Sequence, residues 1–93
     1  MKNRKIKKIR KKLDLLDNKM LNIIKKRSLL VDKILANKTN KKQIVDKKRI
    51  RTIYKTIRRK SMSKKIDTKL THNIWKAMIR GFINYEYKNF KKK

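Results

Sequence analysis

Residues 5–38 read KIKKIRKKLDLLDNKMLNIIKKRSLLVDKILANK. Apolar side chains recur at Ile6, Ile9, Leu13, Leu16, Met20, Ile23, Ile24, Leu30, Val31, Ile34 and Leu35. Most steps are three or four residues, which is the period of one helix face. No Pro or Gly interrupts the run. The spacing predicts one helix from about residue 5 to about residue 38, roughly 50 Å long at 1.5 Å per residue. A helix of that length cannot bury its stripe against the short remainder of its own chain. It calls for an antiparallel partner or a second copy. Complementary charges at heptad flanking positions are missing, which argues against a plain coiled coil.

Outward from that helix the pattern changes twice. Thr39 to Val45 is polar and aperiodic and reads as a loop. Asp46 can cap a second helix whose stripe is Ile50, Ile53, Tyr54 and Ile57. Lys60 to Lys65, with Ser61 and Ser63, reads as a second loop. Asp67 or Thr68 can cap a third helix with Leu70 or Thr71, Ile74, Trp75, Met78, Ile79, Phe82 and Ile83 along one side. The expected fold is all-α: a long, a short and a medium helix in one domain over residues 1–93. The basic ends, 1–5 and 88–93, are expected to fray.

The composition excludes much. The 93 residues contain no Cys, no Pro, one Gly and one His. Disulfides, thiolate metal sites and glycine-rich phosphate loops are out. One His and no acidic cluster predict no metal and no cofactor. No apolar run is long enough for a transmembrane helix or a signal-peptide core, so the expectation is a cytoplasmic protein without a membrane partner.

The chain carries 33 Lys+Arg against 6 Asp+Glu, a net charge of +27. Leu, Ile, Val and Phe total 25 residues, above the roughly 20% below which chains are disordered. Two readings of the charge stay open. Lys, Ile and Asn are what AT-rich codons supply, so the charge can be compositional bias on solvated faces. It can also attract polyanions, as nonspecific binding or as the function of a basic helical nucleic-acid-binding protein. Basic runs such as Lys5 to Lys12 and Arg58-Arg59-Lys60 support the second reading. The scarcity of aromatics for base stacking opposes it.

The charges that interrupt apolar stripes carry more information. Arg27 stands where the period asks for an aliphatic residue. Lys38 follows by 11 residues, about 20° from three full turns, so a continuous helix would put both on the core face. Arg49 opens the second helix. Glu86, the only Glu, lies four residues after Phe82 on the core side of the third. Buried charges are costly unless paired or used on a ligand. Either Arg27 and Lys38 snorkel, or Glu86 pairs with one of them, or the set forms a pocket for a small dianion. Arg10 precedes Arg27 by 17 residues, about 25 Å along the axis. It could serve such a pocket only from another chain.

At these residues the sequence resembles the all-helical (type II) chorismate mutases. The matching elements are Ile9-Arg10, Leu13-Asp14-x-x-Asp17, Leu21, Ile23-Ile24, Arg27 and Lys38. Then come Ile44, Asp46-Lys47-Lys48-Arg49 and the pair Ile66-Asp67. The resemblance implies an intertwined, domain-swapped dimer with two sites for chorismate, a dianion. It implies that Arg27 and the partner's Arg10 hold the carboxylates, with Asp46 and Arg49 also binding substrate. It makes Lys38 and Glu86 the catalytic pair at the ether oxygen. Two positions depart from the family: Ile50 stands where Glu is usual, and Phe82 where Ser is usual. Isochorismate-pyruvate lyases share the fold and carry apolar or aromatic residues at similar points, so that reaction is the alternative. Rearrangement of chorismate is pericyclic and needs no nucleophile. Fixed cations hold the reactive conformer and stabilise charge developing on the ether oxygen. For Glu86 to donate a hydrogen bond there, its carboxyl must be protonated.

Overall fold

A computed structural model describes residues 2–91 of the chain. Three helices are present: α1, Lys2–Ala36; α2, Lys47–Ser63; and α3, Thr68–Asn89. A short 3-10 helix, Lys41–Gln43, lies between α1 and α2. The all-α, long-short-medium order is the one the periodicity predicts. By Cα proximity the chain divides into two units, Met1–Val31 and Asp32–Lys93.

The first unit is helix alone. Its stripe residues from Ile6 to Leu30 are 42–59% exposed. Arg27 is half-buried, unlike those aliphatic neighbours.

The second unit holds the interior. α2 packs on α3. Leu35 and Ile44 are the buried aliphatics, 7% and 3% exposed. Ser61, Thr71 and Glu86 are the buried polar residues among those described. The Ser61 and Thr71 hydroxyls meet at 2.8 Å across the α2–α3 contact. Ser61 Oγ also donates to the Ile57 carbonyl at 2.6 Å. A buried hydroxyl without a partner costs about 1–3 kcal/mol, so this pairing favours one register of α2 against α3.

Local chemistry sets the helix ends. Asp46 caps α2, accepting from the Arg49 amide at 3.0 Å. Asp67 caps α3, accepting from the amides of Lys69 at 2.9 Å and Leu70 at 3.3 Å. Asn40 and Gln43 form a capping box around the 3-10 helix. After α2 the Ile66 amide donates to the Ser61 carbonyl and the Lys65 amide to the Met62 carbonyl. That is a Schellman closure. Its left-handed residue is Lys65, at φ 57°, where glycine is usual.

Four boundaries differ from expectation. α1 starts at Lys2 and ends at Ala36, so Lys38 lies beyond the helix rather than on its face. The chain leaves α1 by tighter bonds, from the Asn37 amide to the Ile34 carbonyl and from the Lys38 amide to the Leu35 carbonyl. α2 continues to Ser63, past the expected start of the loop at Lys60, because Ser61 is satisfied inside the helix contact. α3 stays helical to Asn89, beyond the expected start of fraying at residue 88. Residues 2–5 of the expected frayed ends are helical, Phe90 and Lys91 follow the helix, and Met1, Lys92 and Lys93 lie outside the described residues.

Candidate active site

The site begins with a pair 48 residues apart in sequence. Lys38 Nζ donates to Glu86 Oε1 at 2.8 Å. The two side chains are 16% and 10% exposed. A charged pair this sheltered, though partly open to water, depends on the elements around it to hold both partners in place. On one side, the turn after Ala36 delivers Lys38. On the other, α3 delivers Glu86 four residues after the half-buried Phe82.

A second bond ties the same two stretches. The Tyr85 hydroxyl donates to Asp32 Oδ1 at 2.7 Å. This hydrogen bond raises the Tyr85 phenol above its usual range, with smaller contributions from desolvation and the carboxylate's charge. Asp32 precedes Lys38 by six residues, and Tyr85 adjoins Glu86. The bond therefore fixes α3 against the end of α1 right beside the pair. Phe82 packs edge-on to Tyr85, with centroids 6.2 Å apart at 76°.

Lys38 also lines an open hollow of about 640 Å³ with Gln43, Val45, Asp46 and Lys47. The hollow lies within the Asp32–Lys93 unit and brings two expected site residues, Lys38 and Asp46, to one surface. One Asp46 oxygen is engaged in capping α2. Arg49 is exposed one turn into the same helix. Of the expected set, then, Lys38, Asp46, Arg49 and Glu86 belong to this unit, with Lys38 directly bonded to Glu86. Arg10 and Arg27 belong to the other. Arg10 is exposed and Arg27 half-buried. They sit on one unbroken helix, about 25 Å apart along its axis.

The family described as chorismate mutase type II matches residues 9–87. This chain belongs to that family. The match runs from Ile9 to Tyr87 and so takes in all six expected site positions. No individual curated protein and no solved structure matches the chain. Membership makes an enzymatic role the leading expectation, with chorismate or a close relative as substrate. Among the described residues no helix is long and apolar enough to cross a membrane.

One of the alternatives the sequence leaves open is a pairing of Glu86 with an inward cation, and that cation is Lys38. Sequence reasoning missed Asp32 and Tyr85. Their separation of 53 residues leaves no local signal. The one available hint is that Asp32 sits among aliphatic residues, between Val31 and Ile34.

Proposed function

We propose that the chain is a chorismate mutase acting as a homodimer paired through α1. The observation that carries this reading is the type II family match over residues 9–87, which spans all six expected site positions and includes the sheltered Lys38–Glu86 pair. The exposed aliphatic stripe of α1 supports the dimer: an apolar face this long needs a cover. In the proposed site, Arg27 and the Arg10 of a second copy bind the two carboxylates of chorismate. Arg49 and Asp46 border the ring. The cations select the compact conformer in which the breaking C–O bond and the forming C–C bond are aligned. Lys38 donates to the ether oxygen as negative charge grows on it, an interaction stronger in the transition state than in the ground state.

Two parts can be assigned to Glu86, and they predict different outcomes for Glu86→Gln. As a neutral acid it donates to the same oxygen. Glu86→Gln, which also donates, then keeps activity close to that of the wild type. As a carboxylate it accepts from Lys38 and aims the ammonium, leaving two N–H groups for substrate. Glu86→Gln then lowers kcat at every pH. The 2.8 Å bond from Lys38 supports the second part.

Ile50 and Phe82, both half-buried, favour isochorismate-pyruvate lyase as the second reading, because neither can bond a ring hydroxyl. One experiment separates the reactions. Purified protein is incubated with chorismate and, separately, with isochorismate, and the products are identified. Prephenate from chorismate is the expected result. Pyruvate and salicylate from isochorismate, with chorismate untouched, would replace the mutase by the lyase.

A further inference from the structure

We propose that the cleft between α2 and α3 at Tyr54 and His72 is a binding site for single-stranded nucleic acid. The cleft has a volume of about 390 Å³, within the range of small-ligand sites. Lys55, Arg58 and Lys69 contribute cations to its lining, and Tyr54 and His72 contribute an aromatic shelf. The two rings are 4.8 Å apart and tilted by 33°. Lys55, Arg58, Lys69 and His72 are all exposed. Among the described residues none of these three cations forms an ion pair.

The charge around the cleft is ordered. Residues 47–66 contain ten Lys/Arg and no Asp or Glu. Within α2, Lys48, Arg51, Lys55 and Arg58 follow steps of three, four and three residues. That spacing places them in one row along a helix face, about 15 Å long. The row runs beside the apolar stripe of Ile50, Ile53 and Ile57 and ends in the cleft. Asp46 and Asp67, the nearest acids in sequence, are engaged with backbone amides at the helix starts.

A single phosphate can occupy the cleft, but it leaves the row unanswered. A polyanion answers both, because successive phosphates of one strand can follow the cations. The shelf narrows the choice of polyanion. Stacking on an aromatic face is how single strands are held without sequence preference, and duplexes and inorganic polyphosphate present no free base faces. The proton chemistry assigned to Lys38 and Glu86 uses none of these side chains, so this site is independent of the proposed activity.

The test is fluorescence anisotropy of a labelled oligouridylate titrated with the full-length chain over a range of salt. Inorganic polyphosphate and phosphatidylglycerol vesicles serve as competitors. Lys55→Gln/Arg58→Gln should weaken binding about tenfold or more and flatten the log–log salt slope by about 1.4, for two lost single-strand phosphate contacts. Lys7→Gln/Lys8→Gln on α1 removes the same charge and should shift the affinity less than about threefold if the site is local. His72→Ala should weaken oligouridylate binding about tenfold while leaving polyphosphate binding unchanged. All substituted side chains are exposed, and circular dichroism verifies that each variant is folded. Equal losses for the two double variants would reduce the binding to net charge and overturn the proposal. An equal effect of His72→Ala on both polyanions, or no effect on either, would also overturn it. So would vesicles that compete better than an equal charge of oligonucleotide.

Discussion

Residues Ile6 to Leu30 and residues Asp32 onward both follow helical periodicity, yet they treat their aliphatic side chains differently. In the first stretch the stripe is roughly half exposed throughout. In the second, Ile34, Met62 and Leu70 are as exposed as that stripe, but Leu35 and Ile44 are closed off, and the buried polar groups are matched: Ser61 with Thr71, and Glu86 with Lys38. The difference separates two kinds of information. An amphipathic pattern states that a face will be covered and leaves open by what. A matched polar pair names its partner, because only one placement satisfies both groups. The second unit is specified by such pairs, whereas the stripe of α1 names no partner, and a second copy of it is the cover proposed above.

The largest expected effect follows from that contrast. Leu16→Lys with Ile24→Lys places two charges in the α1 stripe. Each buried aliphatic contributes about 1.5–3 kcal/mol, and a two-fold interface counts each substitution twice. The double variant should lose about 6 kcal/mol or more of dimer stability. Sedimentation and circular dichroism should show dissociation coupled to loss of helicity at micromolar concentration. Ile44→Ala provides the counterpart in the second unit. Its cost is about 2–5 kcal/mol, and it should also appear under conditions where the dimer is saturated. A wild-type chain that stays folded as a monomer would erase the distinction between the regions.

The next effect concerns chemistry more than folding. Lys38→Ala should lower kcat by about 10²–10³, the scale of losing one donor at a developing oxyanion. It also leaves Glu86 sheltered without its cation. The pair is partly open to water, so the stability loss should fall below the ~3–5 kcal/mol typical of a broken, fully buried pair. Loss of activity that only tracks the folded fraction would make the pair structural.

The smallest effect probes the turn between α2 and α3. Lys65 holds a left-handed conformation, at φ 57°. That conformation costs a non-glycine residue about 1 kcal/mol. Lys65→Gly should therefore stabilise the chain by up to about 1 kcal/mol, less the entropy glycine gains when unfolded. Thermal unfolding checks it, and a lower midpoint would mean that the Lys65 side chain contributes something the backbone geometry hides.

Much of this was legible in the sequence. The three helices follow from apolar spacing, and the caps at Asp46 and Asp67 follow from side-chain chemistry at the places where periodicity resumes. The family pattern marked Lys38 and Glu86 before any geometry was known. What was not legible depended on distant partners. Ser61 looks like a loop residue until Thr71 satisfies its hydroxyl inside the α2–α3 contact. The end of α1 carries no Gly or Pro, so the sequence predicts a helix running through Lys38, whereas the structure ends it at Ala36. Asn40 and Gln43 held a capping-box signature that a polar, aperiodic stretch concealed. Asp32 and Tyr85 are ordinary residues until α3 folds back on the end of α1.

The central claim is that α1 carries a site across two copies of the chain, and complementation tests it most directly. In the proposed homodimer, Arg10→Ala and Arg27→Ala should each disable both sites. In a mixed dimer, one site receives both substitutions and the other receives neither. The two purified variants are unfolded together, refolded and assayed with chorismate. With random pairing the mixture should recover about a quarter of wild-type turnover, one intact site in half of the dimers. Activity no greater than the sum of the two separate variants would contradict a site shared between chains.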